Sequence, residues 1–412
     1  MLASPAPGCV DVSGPVRTTL IMNSKPSLAI LAFSPIRRDA RVLRQIIYLA
    51  SRFSVVVLGY GEVDSLPPGV AYYAIQEPSG IGLERKLRTS LYLPLGRLFP
   101  AWAYEAWYWQ RSDRQAMFER LNELSPHLIH ANDWDTLPIA IKIAQKTGAR
   151  VLLDLHEYSP RQFENRIYRR TIFNPMIDYF LKRYGSMADV VITVNQVIAE
   201  RYAREYQFHP SIVMNAPSLD TTPSFNITDA QHIRLIHHGA ASRDRKLEMM
   251  IHTLAQTDSR YSLTFMLVGE DQAYIKALKL LSEEIAPGRV VFQPPVPPTQ
   301  IVSHIKQFDL GFFLLPPTSF SYYAALPNKF FDFVMAGLAV CIGPSLEMAR
   351  LVDQYKFGAV AASFEPGDAA QLLNSLTAKD IDQMKHNALE ARKVLNAEVE
   401  MSKLVDLYAS LV

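Results

Sequence analysis

Residues 326–342 read LPNKFFDFVMAGLAVCI. Pro327 sits where a helix starts and Gly337 just past where one stops, and the apolar run 339–342 that follows suits a strand. The apolar run 310–315 ahead of it also predicts a strand. Strand, helix, strand over so short a span is the unit from which parallel sheets are built.

Working outward, the same alternation repeats. Short runs rich in β-branched and aromatic residues at 233–237, 263–268, 290–292 and 359–362 complete one series. A second series lies earlier, at 28–33, 55–58, 128–130, 151–155, 190–194 and 212–214. Two sets of about six strands with helices between them predict an α/β protein of two doubly wound, Rossmann-like domains. The polar, proline-containing stretch 215–229 reads as the linker. The expected division is a flexible tail 1–26, a first domain 27–215, a second domain 216–395 and a C-terminal helix 396–412 crossing back to the first domain. The whole stretch 380–412 reads as helix without a further strand. Ligands of open α/β sheets bind beyond the carboxyl ends of the strands, so two such domains facing each other make one deep cleft.

At 412 residues with 49% hydrophobic content the chain can bury two cores. The net charge of +2 is too small to imply nucleic acid, but it is unevenly spread. Up to Asn215 there are 25 Lys+Arg against 19 Asp+Glu, and after it 17 against 21, giving +6 and −4. A basic first half suits an anionic partner such as lipid headgroups. Only Cys9 and Cys341 are present and no secretory signal is visible, which predicts a reducing, cytoplasmic compartment. The apolar segment 91–109 contains Pro94, Arg97, Pro100 and Glu105 and should not span a bilayer. With Arg85, Lys86, Arg88 and Arg97 beside Trp102, Trp107 and Trp109, it could lie peripherally at the inner face of the membrane, or equally cover its own domain.

Four clusters can carry chemistry. Free N–H groups at the helix start near Leu326, Pro327 and Asn328, with Lys329 beside them, suit a diphosphate, and Asp332 one turn on suits a ribose diol. The turn after the 233–237 strand, from Gly239 through Arg243, Arg245 and Lys246, can neutralise a departing diphosphate; a solvated surface turn is the plainer reading. Two strand ends in the first half bring Asp133 and Asp135 near His156 and Glu157. The Asp133-Trp134-Asp135 spacing imitates a metal-binding pair, but so short a pattern arises by chance and no metal is expected. The loop after the first strand offers Arg37, Arg38 and Arg41 to an acceptor or a diphosphate. No Walker A motif and no complete Gly-x-Gly-x-x-Gly is present, which argues against a kinase or a nicotinamide enzyme.

With these residues in view, the chain from about 27 onward resembles the retaining GT-B glycosyltransferases of the large family 4-like group. The resemblance is carried by 326–332 through 336–338, by Gly239 with its basic turn, by Val268-Gly269-Glu270 and by Asp154-x-His156-Glu157. It implies a nucleotide diphosphate sugar as co-substrate, no other cofactor, a lipid-linked or polysaccharide acceptor, and retention of configuration without a protein nucleophile. It further implies donor contacts from Gly239, Gly269, Glu270, 326–329 and Asp332, a catalytic role for His156, Arg243, Arg245 and Lys246, and an acceptor side carrying Asp133, Asp135 and Glu157. Two departures stand out: the family's first donor acid falls at Ala324, and the Arg after its glycine falls at Ala240. They leave two alternatives, a catalytically impaired partner that binds nucleotide and a nucleotide-sugar epimerase.

Overall fold

The computed structural model describes residues 25–78, 83–222, 225–269 and 271–411. The first sheet contains β1 (Ser27–Pro35), β2 (Ser54–Tyr60), β3 (Ala71–Ile75), β4 (Leu128–Asn132), β5 (Arg150–Leu155), β6 (Val190–Thr193) and β7 (Ser211–Ile212). The second contains β8 (Ile233–Ala240), β9 (Tyr261–Val268), β10 (Val290–Gln293), β11 (Leu310–Phe313), β12 (Ala339–Ile342) and β13 (Gly358–Val360). Their orders are 3-2-1-4-5-6-7 and 10-9-8-11-12-13, with every pairing parallel. Helices cover both faces, so the central strands are buried on both sides and read as unbroken apolar runs, such as Val55–Leu58 in β2.

The first sheet has seven strands where the sequence predicts six. The extra one, β3, is a short edge strand with one buried residue, Ile75, and its Ala-Tyr-Tyr-Ala-Ile pattern follows two prolines and Gly69. Such a strand has little apolar signal, because it covers no core on its outer side.

The C-terminal stretch is two helices. The first, Ala378–Ala391, starts with a Thr377–Asp380 capping box and lies on the second sheet. The chain then turns and Asn396 caps Ala397–Ala409, which packs against the Ala40–Leu49 helix of the first domain. Met401, Leu404 and Tyr408 share a core with Leu28, Ile30, Val42 and Ile46. The stretch after β7 is tied to this helix: Glu400 accepts from the Met214 amide at 2.8 Å and Glu398 from the Leu219 amide at 2.8 Å.

The two domains touch beside the cleft. Asn195 Nδ2 donates to the Ala324 carbonyl at 2.7 Å, Glu347 accepts from the Val197 amide at 2.9 Å, and Glu164 accepts from the Phe320 amide at 2.8 Å. Phe320 and Ala324, which belong to the second half of the chain, are buried in the core of the first domain. No helix among the described residues is long and apolar enough to cross a membrane.

Candidate functional site

The carboxyl ends of β8 and β11 and the start of the Asn328–Met335 helix form one wall of the cleft. Gly239 ends β8 at φ +118, a conformation that L side chains avoid. A Cβ there would lie 3.0 Å from Lys329 Nζ, so the bare glycine makes room for the ammonium group. Lys329 Nζ donates to His237 Nε2 at 3.1 Å and lies 4.5 Å from the centre of the Phe313 ring. His237 Nδ1 in turn meets the Phe312 carbonyl at 3.0 Å, which requires the ring proton on Nδ1 and leaves Nε2 as an acceptor. Burial, then Lys329, keeps His237 well below the usual imidazole range. Burial and the neighbouring Arg245 push Lys329 well below the usual ammonium range.

Asp332, one turn into the helix, is raised to about 7 by burial, against the pull of Arg44 and Lys329. His238 Nε2 lies 3.5 Å from its carboxylate. That imidazole is neutral, held down at about 3 by burial and Lys329. A cavity of about 890 Å³ collects Gly239, Arg245, Lys329, Asp332 and, from the first domain, Arg44. A second cavity of about 470 Å³ adjoins it through Asn215, Arg245, Pro327 and Asn328, and carries Arg38, His156, Glu157, Ala324 and Leu326. A diphosphate in the larger cavity would meet a helix start, a buried Lys and an Arg together.

The opposite wall rests on a buried polar network. Asp154, at the end of β5, receives Arg41 Nε at 2.7 Å, Arg41 Nη2 at 2.8 Å and Gln45 Nε2 at 2.7 Å. Burial opposes its charge, but Arg41 and His156 hold the carboxyl well below the usual range. His156 Nε2 is 3.2 Å from Asn132 Oδ1 and 3.5 Å from Asp154, and its Nδ1 is 3.5 Å from Asp133. Burial opposes protonation there too, yet Asp133 and Asp154 outweigh it and raise His156 to about 9. The site therefore presents an imidazolium at neutral pH. Behind it His130 Nδ1 meets the Tyr408 hydroxyl at 2.6 Å, so the C-terminal helix buttresses the same network.

Several residues stand elsewhere than the sequence suggested. Arg41 is buried in the lining of the smaller cavity, and its guanidinium is taken up by Asp154 and the Val213 carbonyl, so it positions the network. Arg37 is exposed and pairs with Asp64 at 3.0 Å. Of that loop only Arg38 faces the cleft with its side chain uncommitted among the described residues. In the basic turn, Arg243 pairs with Asp271 at 2.9 Å over the Tyr274 ring and Lys246 closes the turn at φ +49, and neither lines the cleft. Arg245 lines both cavities. Gly269 follows β9 at φ +143 and packs toward Ala241, and Glu270 lies outside the described residues.

Asp133 and Asp135 flank Trp134 in a small polar cavity of about 170 Å³ with Ser34, Asp39 and Gln162. Burial raises Asp135 to about 7, although Arg114 opposes it. Burial, then Asp133, raises Glu157. Among the described residues no three His, Cys, Asp or Glu side chains gather at metal-holding spacing.

Sequence reasoning missed Arg44, His237 and Asn215 at the junction. Arg44 bonds Asn215 and Asn215 Nδ2 donates to Asn328 Oδ1 at 2.8 Å, which ties the two walls together. Arg44 lies three residues past Arg41, the one available hint that both reach the same side of the helix.

Residues 40–219 match the family model described as Glycosyltransferase Family 4. No curated protein matches the chain. Among solved structures the fold is similar to sucrose-phosphate synthase from Thermosynechococcus elongatus, at TM-score 0.68 and 14% identity over 94% of this chain and 99% of that one. It is also similar to HepE of Anabaena in complex with UDP and glucose, at TM-score 0.65 and 15% identity over 93% of this chain and 100% of that one. The lipopolysaccharide outer core galactosyltransferase WaaB is a third, at TM-score 0.61 and 13% identity over 94% of this chain and 100% of that one. The chain therefore has the two-domain GT-B fold of glycosyltransferases, and its residues 40–219 match the Glycosyltransferase Family 4 model.

Proposed function

We propose that the protein transfers a hexose from a nucleoside diphosphate sugar, a uridine diphosphate donor being the first to test, to a lipid-linked or polysaccharide acceptor with retention of configuration. The observation that carries this reading is the larger cavity, where Lys329, Gly239 and Asp332 meet Arg245 and the helix start at Pro327, which border the smaller cavity as well. The UDP bound to HepE supports the choice of base.

In this reading the acceptor hydroxyl attacks the anomeric carbon on the face from which the diphosphate departs. The glycosidic C–O bond breaks with its electron pair passing to the diphosphate, and that oxygen takes the acceptor's proton. Arg245 and Lys329 offset the charge as it develops. Asp332 accepts from the ribose diol, and the His156 imidazolium donates to a hydroxyl of the transferred sugar. Arg38, Asp133, Asp135 and Glu157 stand on the acceptor side. No metal is required, and the reaction takes place at the cytoplasmic face of a membrane.

A thermal-shift titration with uridine, guanosine, adenosine and thymidine diphosphates tests it. Selective stabilisation by UDP, unaffected by chelator and weakened ~10-fold or more in Asp332→Ala and Lys329→Ala, is expected, while His156→Ala keeps its nucleotide affinity and loses turnover. One observation favours a second reading: Ala324 is buried in the domain contact with its carbonyl on Asn195, so no carboxylate meets the donor sugar from that position. Stabilisation by UDP with neither transfer to any acceptor nor hydrolysis of the donor would favour a nucleotide-binding partner protein.

A further inference from the structure

We propose that the face formed by the Leu83–Leu95 and Pro100–Trp109 helices and the neighbouring segment 161–173 docks on an anionic lipid bilayer. Leu91, Leu98, Phe99, Trp102, Ile167 and Tyr168 each leave 46–73% of their surface exposed, far more than large apolar side chains do when they have a core to enter. The segments that carry them adjoin. The two helices pack on each other with the Tyr92 and Trp102 rings 5.5 Å apart, and the first also touches the Arg169–Phe173 turn, whose Phe173 ring lies 6.2 Å from that of Trp107.

The structure changes which residues make this face. Trp107 is buried, and Trp109 donates its indole N–H to Glu105 at 2.8 Å under Lys142, so only Trp102 of the three tryptophans points outward. The side chains of Arg85 and Lys86 lie outside those described. The segment 161–173, far away in sequence, supplies what the helices lack.

Charge selects the occupant. Positions 83–109 carry Arg85, Lys86, Arg88 and Arg97 against Glu84 and Glu105, the latter paired with Arg183; between 161 and 173 the charged residues are Arg161, Arg166, Arg169 and Arg170 against Glu164. Glu164 is turned inward, bonded to Arg161 at 2.5 Å and to the Phe320 amide. Among the described residues Arg97, Arg166 and Arg170 make no ion pair. A second copy of this chain using the same face would set these arginines against each other across a twofold axis. A bilayer with anionic headgroups instead takes apolar and indole groups into its interface and arginines at any spacing along its plane.

The position of the face gives it a use. Arg161 lies over the Phe320 ring at 5.2 Å, and Gln162 lines the small cavity that holds Asp133 and Asp135. The docked face therefore borders the acceptor end of the cleft, so a lipid-linked acceptor would enter without leaving the bilayer. That last step rests on the transferase reading, whereas docking itself does not.

Flotation of the full chain with vesicles of equal parts phosphatidylcholine and phosphatidylglycerol, and with phosphatidylcholine alone, is the test. Binding to the anionic vesicles is expected, weakened by salt and reduced ~10-fold or more both in the Leu98→Ser/Trp102→Ser pair and in the Arg166→Gln/Arg170→Gln pair. An unchanged melting temperature shows that the variants fold. No flotation, or equal flotation with neutral vesicles, overturns the proposal, and so does a dimer in light scattering that the Trp102 variant abolishes. Flotation without transfer would leave docking intact and remove the transferase reading; transfer without flotation would do the reverse.

Discussion

At the scale of single residues, the site depends on pairs whose charge states are set by what surrounds them. His237 has its proton fixed on Nδ1 by the Phe312 carbonyl, which makes Nε2 the acceptor that aims Lys329 at Gly239. A buried hydrogen bond contributes about 0.5–1.5 kcal/mol net, so His237→Phe should weaken UDP binding by roughly 2- to 10-fold, and His237→Gln, which keeps an acceptor, should recover part of it. Calorimetry on both variants checks this, and equal loss in the two would rule out the aiming role. His156 has the opposite balance. Its folded value of about 9 lies above the ordinary 6.5, so the stabilisation it provides is complete below about pH 6.5 and is lost as pH rises through about 9. Its size is at most roughly 3 kcal/mol. Denaturant unfolding across that window should show a falling stability that His156→Gln lacks. None of these pairings is legible from one position: Arg37, Arg38, Arg41 and Arg44 are alike in sequence, and only packing sends one to Asp64, one to the cleft, one to Asp154 and one to Asn215.

At the scale of elements, the strand–helix alternation and most boundaries were open to reading, because central parallel strands must be apolar on both faces and helices begin and end with recognisable residues. The Asn328–Met335 helix begins at Pro327 and its chain reverses at Gly337, at φ +73. β3 escaped notice because an edge strand buries little. The turn at 392–396 carries no proline or glycine to announce it, only Asn396, which caps the helix that follows. The helix beyond that break buries Leu404 completely against first-domain strands. Leu404→Ala should cost about 2–5 kcal/mol in chemical denaturation. Since Tyr408 on the same helix holds His130, the variant should also show lower transfer activity at a temperature where it remains folded.

At the scale of the whole molecule, the second domain reaches into the first through Phe320 and Ala324 and is held by Asn195, Glu164 and Glu347. These few polar contacts are weak enough to open and close, as enzymes with a ligand between two domains require. Glu164→Ala leaves the Phe320 amide without its carboxylate and should enlarge the radius of gyration of the nucleotide-free protein in small-angle X-ray scattering. UDP affinity should stay within about twofold, because the nucleotide groups lie on the second domain. An unchanged scattering profile would show that the apolar contact of Phe320 alone sets the closed arrangement.

By itself the sequence determined that there are two parallel-sheet domains and that Pro327, Lys329 and Asp332 belong to the start of one helix after a strand. Periodicity and end signals are local, and local physics decides them. Only the tertiary structure decided that Arg245, not Arg243 or Lys246, meets the cleft, that Arg41 is internal, that His237 holds Lys329, and that 161–173 joins the apolar face beside Trp102. Each of these depends on elements scores of residues apart meeting at a particular angle, and burial and charge state follow from that meeting rather than from the order of residues along the chain.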